Sequence, residues 1–360
     1  MKILLLSRYG SLGASSRLRS YQFIEYLSDH EVDIKVSHLL GDDYLSRLYS
    51  GGSTRVPSVI CSYLKRLMLL TTFWKYDLIW IEYEVFPWMP PIFEKLLSLF
   101  RLPYLVDYDD ATFHRYSEHR SSVVRWVLGG KIKRVMRYST TVVAGNEYIA
   151  EYAKIAGARE VCVIPTVVDE SKYVVKNTSL SSRFVIGWIG SPSTQQYLEV
   201  VMGALNKLAN QAVFELRLVG ASHIDQSGFP VKIVQWTEKT EVSDIREFDV
   251  GIMPLFDGPW ERGKNGYKLI QYMACGVPVV ATPIGVNTRI VEHGRNGYLA
   301  GNEQEWLVAL QELMGDPSLR ERMGRQGRIK FEKQYSLGVT APILLSVLKK
   351  AAGENDNCAA

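Results

Sequence analysis

The chain has 360 residues, 47% of them hydrophobic and 22% charged, with a net charge of +4. That length exceeds the roughly 250–300 residues at which a single core stops growing, so two domains are expected, and the ordinary balance excludes extended disorder. The mild charge excludes a densely basic nucleic-acid face, and the apolar runs break before the ~20 residues that a membrane span needs.

Cys61, Cys162, Cys275 and Cys358 lie far apart without Cys or His partners at metal-ligand spacing, so neither a zinc site nor a disulfide framework is expected. The opening MKILLLSRYG is an apolar run of one strand's length followed by Arg8 and a glycine loop, with no cleavage site of a secretion signal. A reducing, cytoplasmic setting is the expectation.

From the start, short β-branched runs alternate with helical patterns: KILLLSR, a helix over 18–27, VDIKVSHL, DLIWIEY, PYLVDYD, TTVVAG and VCVIPTVVD. Near-continuous apolar strands separated by helices predict a parallel sheet covered on both faces. This first domain is expected over 1–170, followed by a polar linker over 172–183. The alternation resumes at FVIGWIG, passes through a helix over 194–209 and continues through FELRLVG, VKIVQW, DVGIMPL and PVVATP. It predicts a second doubly wound domain over 182–337. A final helix over 338–352 is apolar enough to pack back onto the first domain, and 351–360 reads as a loose tail.

Ligands of open parallel sheets sit beyond the carboxyl ends of the strands, so residues just after strands carry the most weight. After the first strand, YGSLGASSRLR places Gly10 and Gly13 for a tight turn, Ser15 and Ser16 to cap a helix, and Arg17 just beyond. It suits an anion or a sugar. It is no dinucleotide fingerprint, because the third glycine and the ribose-binding acid are missing, and this argues against a nicotinamide oxidoreductase. A second loop, YLVDYDDATFHRY, gathers Asp107, Asp109, Asp110 and His114, which could bind sugar hydroxyls or take an acceptor's proton, or cap the next helix. Its Asp-x-Asp also fits a divalent-metal site, an alternative left open here.

Between 113 and 137 seven cations face one acid, Glu118, among Val123, Val124, Trp126, Val127 and Leu128. Together with SYLKRLMLLTTFWK at 62–75, this basic helix pair suggests a surface able to rest on anionic lipid; a core-packed pair is the alternative. In the second half, GWIGSPST puts Gly190 and Ser191 at a strand-to-helix turn suited to a phosphate. The richest segment is WERGKNGYKLIQYMACGVPVVATPIG at 260–285. There Arg262, Lys264 and Lys268 could neutralise a diphosphate, and Gln271 falls one step past Lys268 on the same face of a helix over 267–274.

This segment resembles the donor-site signature of glycosyltransferase family 4, in a subgroup with the pattern K-x-x-x-K-x-x-Q-Y-M-A-x-G-x-P-V-V. Lys264, Lys268, Gln271, Tyr272, Met273, Ala274, Gly276, Pro278, Val279 and Val280 match it. The resemblance extends weakly through DYDDATF, VVAGNEYIAEYA, VIPTVVD, IGWIGSPST and NGYLA. It implies an α/β chain of GT-B fold, two Rossmann-like doubly wound parallel-sheet domains facing across a cleft. It further implies retaining transfer of a sugar from a nucleotide-sugar donor, itself a substrate, to a glycan or lipid-linked acceptor, with neither cofactor nor metal, as in cell-surface polysaccharide or lipopolysaccharide synthesis.

The family's two glutamates fall on Gly263 and Gln271, so the donor sugar loses a side chain at Gly263, for which Glu261 is the nearest substitute. On this basis Asp109, Asp110, Lys264 and Lys268 are the expected catalytic groups. Gly13, Gly190, Ser191, Glu261, Arg262, Lys264, Lys268 and Gln271 are expected around the donor, and Arg17, Asp107 and His114 on the acceptor side. The glycine at 263 keeps two other readings in view, a GT-B-type nucleotide-sugar epimerase and a non-catalytic sugar-nucleotide binding protein.

Overall fold

The computed structural model describes residues 1–49, 56–175, 183–223 and 228–354; the expected linker and tail lie mostly outside them. The chain divides into two compact units, Met1–Thr166 together with the chain from Thr340 onward, and Val167–Val339.

The first unit is built on six parallel strands, β1 (Lys2–Tyr9), β2 (Asp33–Leu40), β3 (Leu78–Glu82), β4 (Tyr104–Tyr108), β5 (Thr141–Ala144) and β6 (Val161–Val163), in the order β2-β1-β3-β4-β5-β6. The middle strands β3, β4 and β5 are buried along their whole length, as their unbroken apolar runs require when helices cover both faces. The helix Leu337–Ala352 buries Leu344, Leu345, Leu348 and Ala351, and its Lys350 Nζ lies 2.6 Å from Glu160 Oε1 at the start of β6.

The second unit repeats the plan with β7 (Phe184–Ile189), β8 (Phe214–Val219), β9 (Val231–Val234), β10 (Val250–Met253), β11 (Val279–Ala281) and β12 (Gly297–Leu299), in the order β12-β11-β10-β7-β8-β9. All neighbours pair in parallel. The order reverses between β1 and β3 in the first unit and between β7 and β10 in the second. Connections leave in opposite directions there, opening a crevice at the strands' carboxyl ends.

Three local expectations are corrected. The helix expected over 18–27 is broken into Ala14–Arg19, the 3-10 turn Tyr21–Phe23 and Ile24–Asp29. Ser20 leaves helical geometry at φ −134°, and its hydroxyl bonds back to the Ser16 carbonyl at 2.7 Å, an arrangement that bends helices. The helix expected over 194–209 starts as the 3-10 turn Pro192–Leu198 before the α-helix Glu199–Ala209. The basic pair over 113–137 is three helices, His114–Ser117, Ser122–Leu128 and Lys131–Tyr138.

The second unit's core closes over a glycine inside a strand. A Cβ on Gly187 of β7 would lie 1.9 Å from the fully buried ring of Phe248. Overpacking of this kind costs about 1–3 kcal/mol, so Gly187→Ala is expected to lower the melting midpoint by roughly 5–10 °C. Gly228→Ala, where nothing lies within 4 Å, should leave it unchanged; equal midpoints for the two variants in a thermal melt would refute this packing.

Candidate functional site

At the reversal in the second unit, β7 ends in Ile189-Gly190-Ser191 and β10 leads through 254–258 to the short helix Pro259–Arg262 and then to the helix Tyr267–Ala274. Gly266, at φ +64°, turns the chain into this last helix in a left-handed conformation that a side chain would strain. Lys268, on the first turn, sends its ammonium to 4.2 Å from the centre of the Trp188 ring. Gly190 makes room for it: a Cβ there would lie 2.4 Å from the same indole and 2.8 Å from Lys268 Nζ.

Burial first, and then the like charge of Lys264, together lower the Lys268 ammonium to about 7. Trp188 holds the cation by its ring face, an attraction that leaves the ammonium hydrogens available to an anion. Two lysines are thus held at the switch point of the sheet.

Lys264 Nζ lies 5.7 Å over the Tyr197 ring, and the Tyr197 hydroxyl donates to Glu261 Oε1 at 2.6 Å. Glu261 is therefore fixed beside the lysines. Arg262 is turned to Asp257, with Nε–Oδ1 at 2.9 Å and Nη2–Oδ2 at 3.2 Å, in a pair exposed on both sides and hence easily exchanged for another anion. Gly263 is buried, and its amide donates to the Trp260 carbonyl at 3.1 Å.

Ser191 pairs its hydroxyl with that of Ser193 at 2.9 Å, while its amide donates to Thr194 Oγ1 at 3.2 Å and the Gly190 amide to the Val219 carbonyl at 3.0 Å. Hydroxyls, more than amides, are what this turn offers. Gln271 is 2% exposed, and its amide donates to the Tyr173 hydroxyl at 2.9 Å. Tyr173 donates in turn to Glu241 Oε1 at 2.5 Å, and Glu241 Oε2 accepts from Trp236 Nε1 at 2.7 Å. Gln271 thus belongs to a buried network.

In the first unit, the loop after β1 faces carboxylates of its own chain. The hydroxyls of Ser15 and Ser16 donate to Glu82 at 2.7 and 2.5 Å, and the Leu12 amide and Ser11 hydroxyl both reach Asp42 at 2.9 Å. The serine caps expected there are corrected: Gly13 is the N-cap residue of Ala14–Arg19, and no side chain caps this helix. Burial raises the Glu82 carboxyl against the lowering effect of both serine hydroxyls and the Arg8 amide. Arg17 Nη1 lies 3.5 Å from the Ser11 carbonyl.

Asp107, 3% exposed, is clasped by Arg19 through Nε at 3.0 Å and Nη2 at 2.7 Å, and Arg19 Nη1 also donates to the Ile164 carbonyl at 2.8 Å. Burial outweighs this pairing and raises Asp107 to about 6. Such a pair ties β4 to the helix after β1. Asp109 and Asp110 are half-buried at the end of β4, and Asp109 accepts from the hydroxyl of Tyr83. Tyr83 itself has φ +62°, a strained backbone of the kind that clusters at functional sites. His114 lies between the Tyr148 hydroxyl at 2.9 Å and Glu118 Oε1 at 2.7 Å. Among the described residues, no group of three or more His, Cys, Asp or Glu side chains is arranged to hold a metal ion.

Sequence reasoning missed Trp188, Tyr197, Tyr173, Glu82 and Tyr83. Tyr83 was read as the last residue of the run DLIWIEY and directly follows the observed β3; Trp188 lies inside a strand, where side chains mostly report packing.

Residues 183–316 match the family model described as Glycosyl transferases group 1. A D-inositol 3-phosphate glycosyltransferase of Pseudarthrobacter chlorophenolicus is 30% identical over 138 residues, covering 38% of this chain and 31% of the relative. The capsular polysaccharide biosynthesis glycosyltransferase CapM of Staphylococcus aureus is 24% identical over 175 residues, 46% of this chain and 45% of its own. The chain thus spans less than half the length of either relative. Among solved structures, sucrose-phosphate synthase from Thermosynechococcus elongatus superposes with a TM-score of 0.71 at 13% identity, covering 99% of this chain and 100% of its own. Anabaena Alr3699/HepE in complex with UDP-glucose superposes with a TM-score of 0.64 at 18% identity, covering 97% and 100%. The chain therefore has the GT-B fold, and most of its second unit matches the group 1 glycosyltransferase model.

Proposed function

We propose that the chain is a retaining, metal-independent glycosyltransferase that moves a hexosyl group from a nucleotide-sugar donor to a hydroxyl of a glycan or lipid-linked acceptor. The observation that carries this reading is the Lys268 ammonium, held over Trp188 beside Gly190 with Lys264 as its neighbour. The match of residues 183–316 supports the reaction class, and the HepE complexes with UDP and UDP-glucose support the donor class.

As the bond between sugar and diphosphate breaks, negative charge grows on the departing oxygen. Preorganised cations in a site poor in water stabilise that charge without rearranging. Lys268 and Lys264 supply them, with the hydroxyls of Ser191 and Ser193 close by. Retention follows when the acceptor hydroxyl attacks on the face the diphosphate leaves and passes its proton to the departing oxygen. Asp109, oriented by Tyr83, and Asp110 are assigned to sugar hydroxyls. Cell-surface polysaccharide synthesis is the setting this chemistry fits.

Lys268→Ala is expected to lower single-turnover transfer at saturating donor by at least about tenfold, the scale of one lost charge-stabilising donor; a near-normal rate would refute the role of Lys268. Transfer should persist in excess EDTA, and its loss with rescue by manganese would establish a metal-dependent reaction.

A proton balance tests the same site without turnover. With its pKa lowered to about 7, Lys268 is mostly neutral at pH 8, and a bound diphosphate favours the charged form. Binding of the donor's nucleoside diphosphate at pH 8 is therefore expected to take up close to one proton, measured by calorimetry in buffers of different ionisation enthalpy. The uptake should vanish in Lys268→Ala; equal uptake in both proteins would assign the proton elsewhere.

A further inference from the structure

The first unit carries a surface that the transfer reaction does not use. A groove of about 360 Å³ runs between the helix Val56–Leu69 and the helix Ile92–Leu99. Val59, Tyr63, Leu67, Phe86, Met89 and Phe93 line it, and the one hydroxyl among them, that of Tyr63, donates to the Pro87 carbonyl at 3.0 Å.

The outer faces of both helices continue the apolar surface into solvent. Ile60, Leu64 and Met68, spaced by four residues, are more than half exposed along the first helix, and Leu99 and Phe100 are 70% and 69% exposed at the end of the second. A soluble surface rarely leaves so large a contiguous apolar patch uncovered.

Charge identifies what covers it. Over residues 56–76, 88–103 and 119–138 the only acid is Glu94, which is 1% exposed and accepts from the Val85 amide. Lys65, Lys75, Lys95 and Arg101 are all exposed around the groove. The helix Ile92–Leu99 packs against Lys131–Tyr138, which exposes Lys133, Arg134 and Arg137, and Ser122–Leu128 adds Arg125 beside Trp126, 87% exposed. Trp88, half exposed, stacks edge-on against His119 and joins the two regions. Trp74 is 67% exposed in the 3-10 segment Leu70–Lys75 that follows the first helix. Exposed tryptophans and large aliphatics with cations in excess of acids, the exposed Asp77 and Glu118 lying only at the borders of these stretches, make the composition of a surface that sits in the headgroup layer of an anionic membrane.

We infer that this face of the first unit docks on an anionic lipid bilayer, with Ile60, Leu64, Met68, Trp74, Leu99 and Trp126 entering the interface and the lysines and arginines facing the headgroups. Among the described residues, no helix is long and apolar enough to cross a membrane. The inference is independent of the transferase reading.

The test is co-sedimentation of the full chain with vesicles of phosphatidylcholine alone or mixed with phosphatidylglycerol, at low and high salt. Binding to the mixed vesicles at low salt, weakened by high salt and absent on phosphatidylcholine, is the expected result. Lys65→Gln should weaken partition about fivefold, the value of one cation near an anionic surface, and Ile60→Glu combined with Leu64→Glu should weaken it at least tenfold without moving the melting midpoint. Equal binding to both vesicle types, or variants that bind like the parent, would overturn the inference. So would self-association of the parent that the double variant abolishes while vesicle binding is absent, because a second copy would then cover the groove.

Discussion

A lysine ammonium with no counter-ion among the described residues organises the second unit. The crevice at the carboxyl ends of β7 and β10 receives Lys268 and Lys264, and among the described residues the only charge that shifts Lys268 is that of Lys264, of its own sign. Gly190 leaves space for the ammonium, Trp188 supplies a ring face, Tyr197 lies under Lys264, and Gly266 aims the helix. A folded chain tolerates a buried ammonium beside a like charge when an external anion completes it, and the penalty that Lys268 carries without one is the source of its affinity for an anion.

The first unit shows the opposite economy. Its carboxylates are satisfied from within: Glu82 by Ser15, Ser16 and the Arg8 amide, Asp107 by Arg19, Asp109 by Tyr83. These bonds join loops after β1, β3 and β4 into one network. They hold the half-buried Asp109 in a fixed orientation, which is what a group assigned to sugar hydroxyls requires. The same unit exposes apolar side chains and cations on its outer helices.

Eleven of the strands follow predicted runs, and the inner ones were the plainest, because parallel strands buried on both faces leave unbroken apolar sequence. β12 escaped because Gly-Tyr-Leu lacks the β-branched valines that marked the equally short β6 and β11. The helix Tyr267–Ala274 matched its expected bounds, since Gly266 before it and Gly276 and Pro278 after it mark its ends chemically. Depth was not legible in the same way. Helical spacing put Gln271 on the face of Lys268, yet Tyr173, nearly a hundred residues earlier, draws it inward. Ser15 and Ser16 have cap chemistry, and only the fold reveals that Glu82 competes for them. Partners distant in sequence decide both cases, and local pattern carries no information about them.

In the proposed transferase, Lys268 and its surroundings hold the diphosphate of a nucleotide sugar. A thermal-shift screen of UDP-, GDP-, dTDP- and ADP-sugars tests it most directly, because a ligand that binds only the folded state raises its melting temperature by mass action. The account predicts that at least one of these sugars stabilises the parent chain and that the shift is lost in Lys268→Ala. An equal shift in both proteins, or no shift with any of the four, would contradict it.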